Sequence, residues 1–172
     1  MAILFPKKQV DSFYDISFEQ FYNEGFRAVI TDIDNTLVPH GAPADQRAIS
    51  MLAHLKELGY SCVLLSNNSK ERVRPFAEAV DLPFIHKAAK PRPKNYKKAM
   101  ELMGSTPKNT LFIGDQIYTD VLGANLAKVY SIIVRPIHPQ EVFSVKLKRI
   151  LEKPVLWSFA LIQKCKRKGE TE

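Results

Sequence analysis

Short apolar runs alternate along this chain with longer stretches in which apolar residues recur every three or four positions, and that alternation leaves few folds open to it. Runs of this kind read as buried strands, and the amphipathic stretches between them as crossover helices, so the pattern is that of βα units around a parallel sheet. Strands are expected near Ala28 to Ile33, Ser61 to Leu65, Phe84 to Ile85, Thr110 to Ile113 and Ser131 to Val134. The first long helix is marked by Met51, Leu52, Leu55 and Leu58 at helical spacing, with Gly59 as its left-handed terminator. Further helices are expected over Lys70 to Ala79, Lys94 to Met103, Thr119 to Ala127 and Glu141 to Leu151. The expected fold is α/β: a doubly wound, Rossmann-like parallel sheet of about five strands with helices on both faces.

At 172 residues, 45% of them hydrophobic, the chain can bury one ordinary core, so residues 1–172 read as one domain. Within it lie an aromatic-rich N-terminal segment (1–26), a core (28–134) and a basic amphipathic C-terminal segment (139–172). No run approaches the roughly 20 apolar residues that span a bilayer. The first residues, Met1 to Lys8, place apolar side chains before charges and lack the pattern of a secretory signal. A soluble, cytoplasmic protein is expected. Its two cysteines, Cys62 in a strand and Cys165 in a basic tail, read as free thiols. The formal charge of +7 calls for an anionic partner: nucleic acid, phospholipid or a phosphorylated substrate.

In an open parallel sheet, ligands bind beyond the carboxyl ends of the strands, so the residues just after each run carry the chemical information. There stand Asp32 and Asp34, then Ser66-Asn67-Asn68, then a lysine-rich segment, then Gly114-Asp115. Two carboxylates two residues apart let one attack while the other handles a proton. A calcium loop also opens Asp-x-Asp, but its sixth position would be Leu37 instead of glycine and its twelfth Pro43 instead of glutamate. Taken singly, the acids could cap a loop, the serine could start a turn and the lysine could be solvated. Together they supply what phosphoryl transfer requires: a nucleophile, hydrogen-bond donors, fixed positive charge and oxygen ligands for magnesium.

The order of these elements resembles the haloacid dehalogenase superfamily, subfamily IIIA, across Ala28 to Val134, on Asp32-Ile33-Asp34-Asn35-Thr36, Ser66, Lys90-Pro91 and Gly114-Asp115 through Asp120. The resemblance implies that Asp32 is the nucleophile and Asp34 the acid and base. It implies that Ser66, Asn67 and Lys90 hold the phosphoryl group, with Lys94 the rival lysine. Asp32, Asp115 and the backbone carbonyl of Asp34 would bind magnesium, supported by Thr36, Gly114 and Asp120.

Thirty residues from Thr36 to Ser66 and 24 from Ser66 to Lys90 leave no room for a cap domain. An open site suits a phosphate carried on something large. The whole chain resembles the bacterial group allied to mitochondrial phosphatidylglycerophosphate phosphatases, on Val29 to Leu37, Leu65 to Asn68, Lys90 to Lys94 and Gly114 to Asp120. That implies conversion of phosphatidylglycerophosphate to phosphatidylglycerol at an anionic membrane surface.

Seven of the 17 aromatic residues fall in the first 26 positions, and Trp157 stands in an apolar stretch beside Lys164, Lys166, Arg167 and Lys168. Such segments either lie in a membrane interface or pack on the domain. The alternatives are a phosphatase of a soluble metabolite, a protein or a nucleic acid end, or a binding or assembly protein without turnover. Nucleic acid is the weaker partner, since no RNA-binding signature is present. A response-regulator receiver is disfavoured, because it is phosphorylated on an Asp after the third strand, where this chain has Ile85-His86.

Overall fold

The computed structural model describes residues 3–137 and Ser158. It contains one six-stranded sheet, all parallel, in the order β1-β6-β5-β2-β3-β4. The strands are β1 (Lys8–Val10), β2 (Ala28–Thr31), β3 (Ser61–Leu65), β4 (Phe84–Ile85), β5 (Thr110–Gly114) and β6 (Tyr130–Val134). The helices are α1 (Phe18–Asn23), α2 (Gln46–Glu57), α3 (Lys70–Ala79), α4 (Lys94–Met103) and α5 (Leu122–Leu126).

Alternate residues of the central strands enter two cores, as expected for a parallel sheet buried on both faces. Val29, Leu64, Leu111 and Ile113 pack with Phe18 and Phe21 of α1, Leu52 and Leu55 of α2, and Val73 and Phe76 of α3. Ile30, Val63, Leu65 and Phe112 pack on the other face with Tyr96, Ala99 and Met100 of α4 and Ala124 of α5. The doubly wound expectation therefore holds, and the described residues include no cap domain.

The sheet has one strand more than expected. Lys8–Val10 pairs with β6 in the register Lys8↔Ile132 to Val10↔Val134. Three residues with two polar side chains give no periodic signal, and the pairing is set by a partner more than 120 positions away. Of the seven N-terminal aromatics that alternatively suited a membrane interface, six lie in or against the core, Phe5 being the exception. Phe13, Phe18 and Phe21 are buried, and Tyr14, Tyr22 and Phe26 pack against the same cluster.

Helix α2 starts where Asp45 accepts a hydrogen bond from the Ala48 amide (2.7 Å), and it ends at Gly59 with φ +93°. The helix expected over Thr119 to Ala127 divides: Ile117–Val121 form a π-helical turn, and α5 continues from it. The expected helix over Glu141 to Leu151, the C-terminal apolar stretch apart from Ser158, and Cys165 lie outside the described residues. Among the described residues no helix is long and apolar enough to cross a membrane. Cys62 is a buried free thiol, pushed up to about 12 by burial.

Candidate active site

From β2 the chain winds outward through β3 and β4, then returns to place β5 on the other side of β2. The crevice between β2 and β5 is the topological switch point, where open α/β sheets bind ligands. Asp32 follows β2 and Asp115 follows β5, so both carboxylates enter this crevice. The turn after β2 is tight: Asn35 adopts φ +61°, its amide donates to the Val38 carbonyl (2.7 Å), and Asp34 bridges to Val38. Asparagine tolerates the left-handed region better than most residues, which suits it to this position.

Lys90 arrives from the segment after β4, where Lys87 and Ala89 also adopt positive φ. Its Nζ lies 2.8 Å from Asp32 Oδ1 and 2.7 Å from Asp120 Oδ1, with the side chain only 3% exposed. Lys94, the rival, is exposed at the start of α4. Asn67 reinforces this placement: its Oδ1 accepts from the Lys90 amide (2.8 Å), and its Nδ2 donates to the Lys90 carbonyl (3.4 Å). Asn67 thus touches the backbone that carries the lysine. Ser66 is buried at the end of β3, its Oγ accepting from the Asn68 amide (3.2 Å).

Asp32, Asp115 and Asp120 each present a carboxylate oxygen within 4.8 Å of the others, and all three are buried. Burial, the largest influence, pushes Asp32 up to about 6; the Lys90 ammonium opposes that shift, and Asp120 adds to it. Burial works against the charge of Lys90, but Asp120 and Asp32 outweigh it and hold the ammonium well above the usual lysine range. Three carboxylates around one ammonium leave the cluster two negative charges in excess when all are ionised. Hard oxygen donors with that excess suit a divalent cation such as magnesium.

Asp120, expected in a supporting role, stands inside this cluster. The π-helical turn carries it inward, and its Oδ2 accepts from the Gln116 amide (3.0 Å). π-Turns of this kind recur at functional sites. Tyr96 supports the turn from below, donating to the carbonyls of Thr119 (3.0 Å) and Asp120 (3.3 Å). Gly114 leaves the space: a Cβ there would meet Asp120 Oδ2 at 2.5 Å. Thr36 is buried, with its Oγ1 lacking a hydrogen-bond partner among the described residues.

Asp34 sits apart from the carboxylate cluster, at the edge of the crevice. Its Oδ1 accepts from the Gly41 amide (2.6 Å) and Arg72 Nη2 (2.8 Å), and its Oδ2 from Asn68 Nδ2 (2.6 Å). Arg72 also donates to the Ala42 carbonyl (2.8 Å), tying the loop after β2 to α3. Sequence reasoning missed Arg72 and Asn68. Asn68 lay within a motif already singled out, whereas Arg72 is one of several basic residues in its helix and nothing local distinguishes it.

Comparison with known proteins agrees with this geometry. Residues 43–128 match the model of the haloacid dehalogenase-like hydrolase family. A Bacillus subtilis (strain 168) protein described as "Probable phosphatase YqeG" is 34% identical over 168 residues, covering 97% of this chain and 94% of that protein. The Pyrococcus abyssi glyceraldehyde 3-phosphate phosphatase is 28% identical over 86 residues, 45% of this chain and 36% of its own. Among solved structures, the fold is shared with the cobalt-bound deoxy-D-mannose-octulosonate 8-phosphate phosphatase from Haemophilus influenzae. That similarity has a TM-score of 0.54 at 20% identity, covering 73% of this chain and 75% of that one. A Deinococcus radiodurans family hydrolase with bound phosphate and sodium is similar at TM-score 0.55 and 16% identity, covering 73% and 88%. Both the family match and the near full-length relative lead to one conclusion: the chain belongs to the haloacid dehalogenase-like hydrolase family.

Proposed function

We propose that this protein is a magnesium-dependent phosphomonoester hydrolase that works through an aspartyl-phosphate on Asp32, and that its substrate is phosphatidylglycerophosphate. The observation that carries the catalytic reading is the position of Lys90 Nζ, 2.8 Å from Asp32 Oδ1 in a buried carboxylate cluster. An ammonium there neutralises the incoming phosphoryl oxygens and holds the nucleophile in line.

The Asp32 carboxylate attacks phosphorus, the ester P–O bond breaks, and Asp34 protonates the departing alkoxide. Water then attacks phosphorus, Asp34 takes its proton, and the acyl-phosphate P–O bond breaks to release inorganic phosphate and restore Asp32. Ser66 and Lys90 hold the phosphoryl oxygens in both halves, and Asn67 keeps Lys90 in place. A magnesium ion held by Asp32, Asp115 and the Asp34 carbonyl, with Asp120 beside it, would neutralise phosphoryl charge.

Support for the lipid is of three kinds. The sequence resembles the phosphatidylglycerophosphate phosphatases along its length, and no cap closes the crevice among the described residues. Arg92, Lys94, Lys97 and Lys98 form an exposed basic face beyond Lys90. That face would meet an anionic surface at the inner side of the membrane, a role the buried N-terminal aromatics do not fill. A second reading, a soluble phosphometabolite, is favoured by the partial likeness to the glyceraldehyde 3-phosphate phosphatase.

The test is phosphate release from phosphatidylglycerophosphate in mixed micelles, with magnesium or EDTA, for the wild type and Asp32→Asn. Release that needs both magnesium and Asp32, and exceeds that from soluble phosphomonoesters, is expected. Cleavage of soluble esters alone overturns the lipid assignment, and release that survives Asp32→Asn overturns the nucleophile.

A further inference from the structure

A cavity of about 430 Å³ opens at the end of the sheet opposite the catalytic crevice. Its walls come from the residues that precede the strands: Phe5 and Lys7 before β1, Phe26 before β2, Lys108 before β5, and Lys128 and Tyr130 at the start of β6. Because every strand is parallel, these amino ends lie away from Asp32 and Asp115 by the length of β5, about 15 Å for five residues. No residue of the carboxylate cluster touches this cavity.

The lining has a defined chemistry. Phe26 and Tyr130 stand edge to face, with centroids 5.3 Å apart, and with Phe5, Ile3 and Val129 they make an apolar floor. Three lysines surround it, and no carboxylate is among the lining residues described. Lys108 and Lys128 make no ion pair among the described residues. Asn125, the one side-chain amide in the lining, is engaged elsewhere. Its Nδ2 donates to the carbonyls of Ile3 (2.6 Å) and Phe5 (2.9 Å), and its Oδ1 accepts from Ser131 Oγ (2.8 Å). Those bonds hold the N-terminal segment in place as one wall and leave little hydrogen-bonding capacity for reading a nucleobase edge.

We infer that this cavity is a second binding site, for an anionic amphiphile: an apolar body on the aromatic floor with its charged head between Lys7, Lys108 and Lys128. Its volume falls within the roughly 300–1,000 Å³ of small-molecule pockets, with apolar walls and a few placed charges as such pockets have. Charge complementarity decides the class, since a neutral or cationic amphiphile would gain nothing from three surrounding ammonium groups.

The test uses the full chain and monomeric laurate, which carries no phosphoryl group for the proposed activity to cleave, and the variants below lie in the cavity and outside the catalytic crevice, so the outcome is separate from that activity. Titration calorimetry is expected to show one saturable site, with binding weakened at least about tenfold in Lys108→Glu/Lys128→Glu. Ile3→Asp, which places a charge in the apolar wall, should weaken it as well, with the melting temperature retained in both variants. Equal binding of a neutral alkyl glucoside of the same chain length overturns the charge assignment. Absence of saturable laurate binding, binding to anionic vesicles but not to monomeric laurate, or unchanged affinity in both variants overturns the site.

Discussion

Replacing Asp32 by asparagine should make the metal-free protein more stable while abolishing turnover. Burial raises the Asp32 carboxyl from 3.8 to about 6, so in the folded protein its ionised form is disfavoured relative to the unfolded chain. A gap of about two pH units corresponds to roughly 3 kcal/mol of folding free energy lost by pH 7. For a carboxyl whose folded value is raised, the stability is present below 3.8 and is lost as pH rises through about 6. The amide removes that penalty but leaves Lys90 with Asp120 as its close carboxylate partner, at 2.7 Å. The expected net gain is therefore about 1–3 kcal/mol, or roughly 3–8 °C in melting temperature for a chain of this size. Circular-dichroism melts in EDTA at pH 7.5 should show the gain, and melts at pH 4.5 should show it shrink. Magnesium should raise the wild-type melting temperature more than the variant's. A variant less stable than the wild type in EDTA at pH 7.5 would refute the reasoning, because it would mean that the Lys90–Asp32 pairing outweighs the cost of three buried carboxylates.

Divalent-ion affinity should increase with pH up to about 6 and level off above, since the folded Asp32 must lose its proton to ligate; calorimetric titration of magnesium across pH 5 to 8 measures this. Gly114→Ala should push Asp120 from its place, because the added Cβ would lie 2.5 Å from Oδ2; a loss of about 1–3 kcal/mol in thermal melts and a fall in activity are expected together. Arg72→Ala releases Asp34 Oδ1 and the Ala42 carbonyl, and should lower kcat about 10- to 100-fold with KM little changed. Steady-state kinetics with retained thermal stability would separate this from unfolding.

Much of the fold was legible because β3, β4, α2, α3 and α4 are specified locally, by runs of apolar residues and, for α2, by the terminator Gly59. Other features depend on contacts distant in sequence. β1 exists because Lys8 to Val10 meet the open edge of β6, and the π-turn at Ile117–Val121 is held against β5 by Tyr96 and Gly114. Neither partner is visible from the local pattern of the segment concerned.

The same division runs through the active site. Strand-end positions alone singled out Asp32, Asp34, Ser66, Asp115 and a lysine-rich segment, because a parallel sheet brings the ends of its strands to one side whatever the details of the loops. Distances, and so electrostatics, were decided by tertiary structure. Only the folded chain sets Lys90 instead of Lys94 against Asp32, draws Asp120 into the carboxylate cluster and closes Arg72 and Asn68 on Asp34. Residue type and spacing fix what chemistry a strand end carries, whereas burial and the approach of charges from separate loops fix how strongly each group holds its proton.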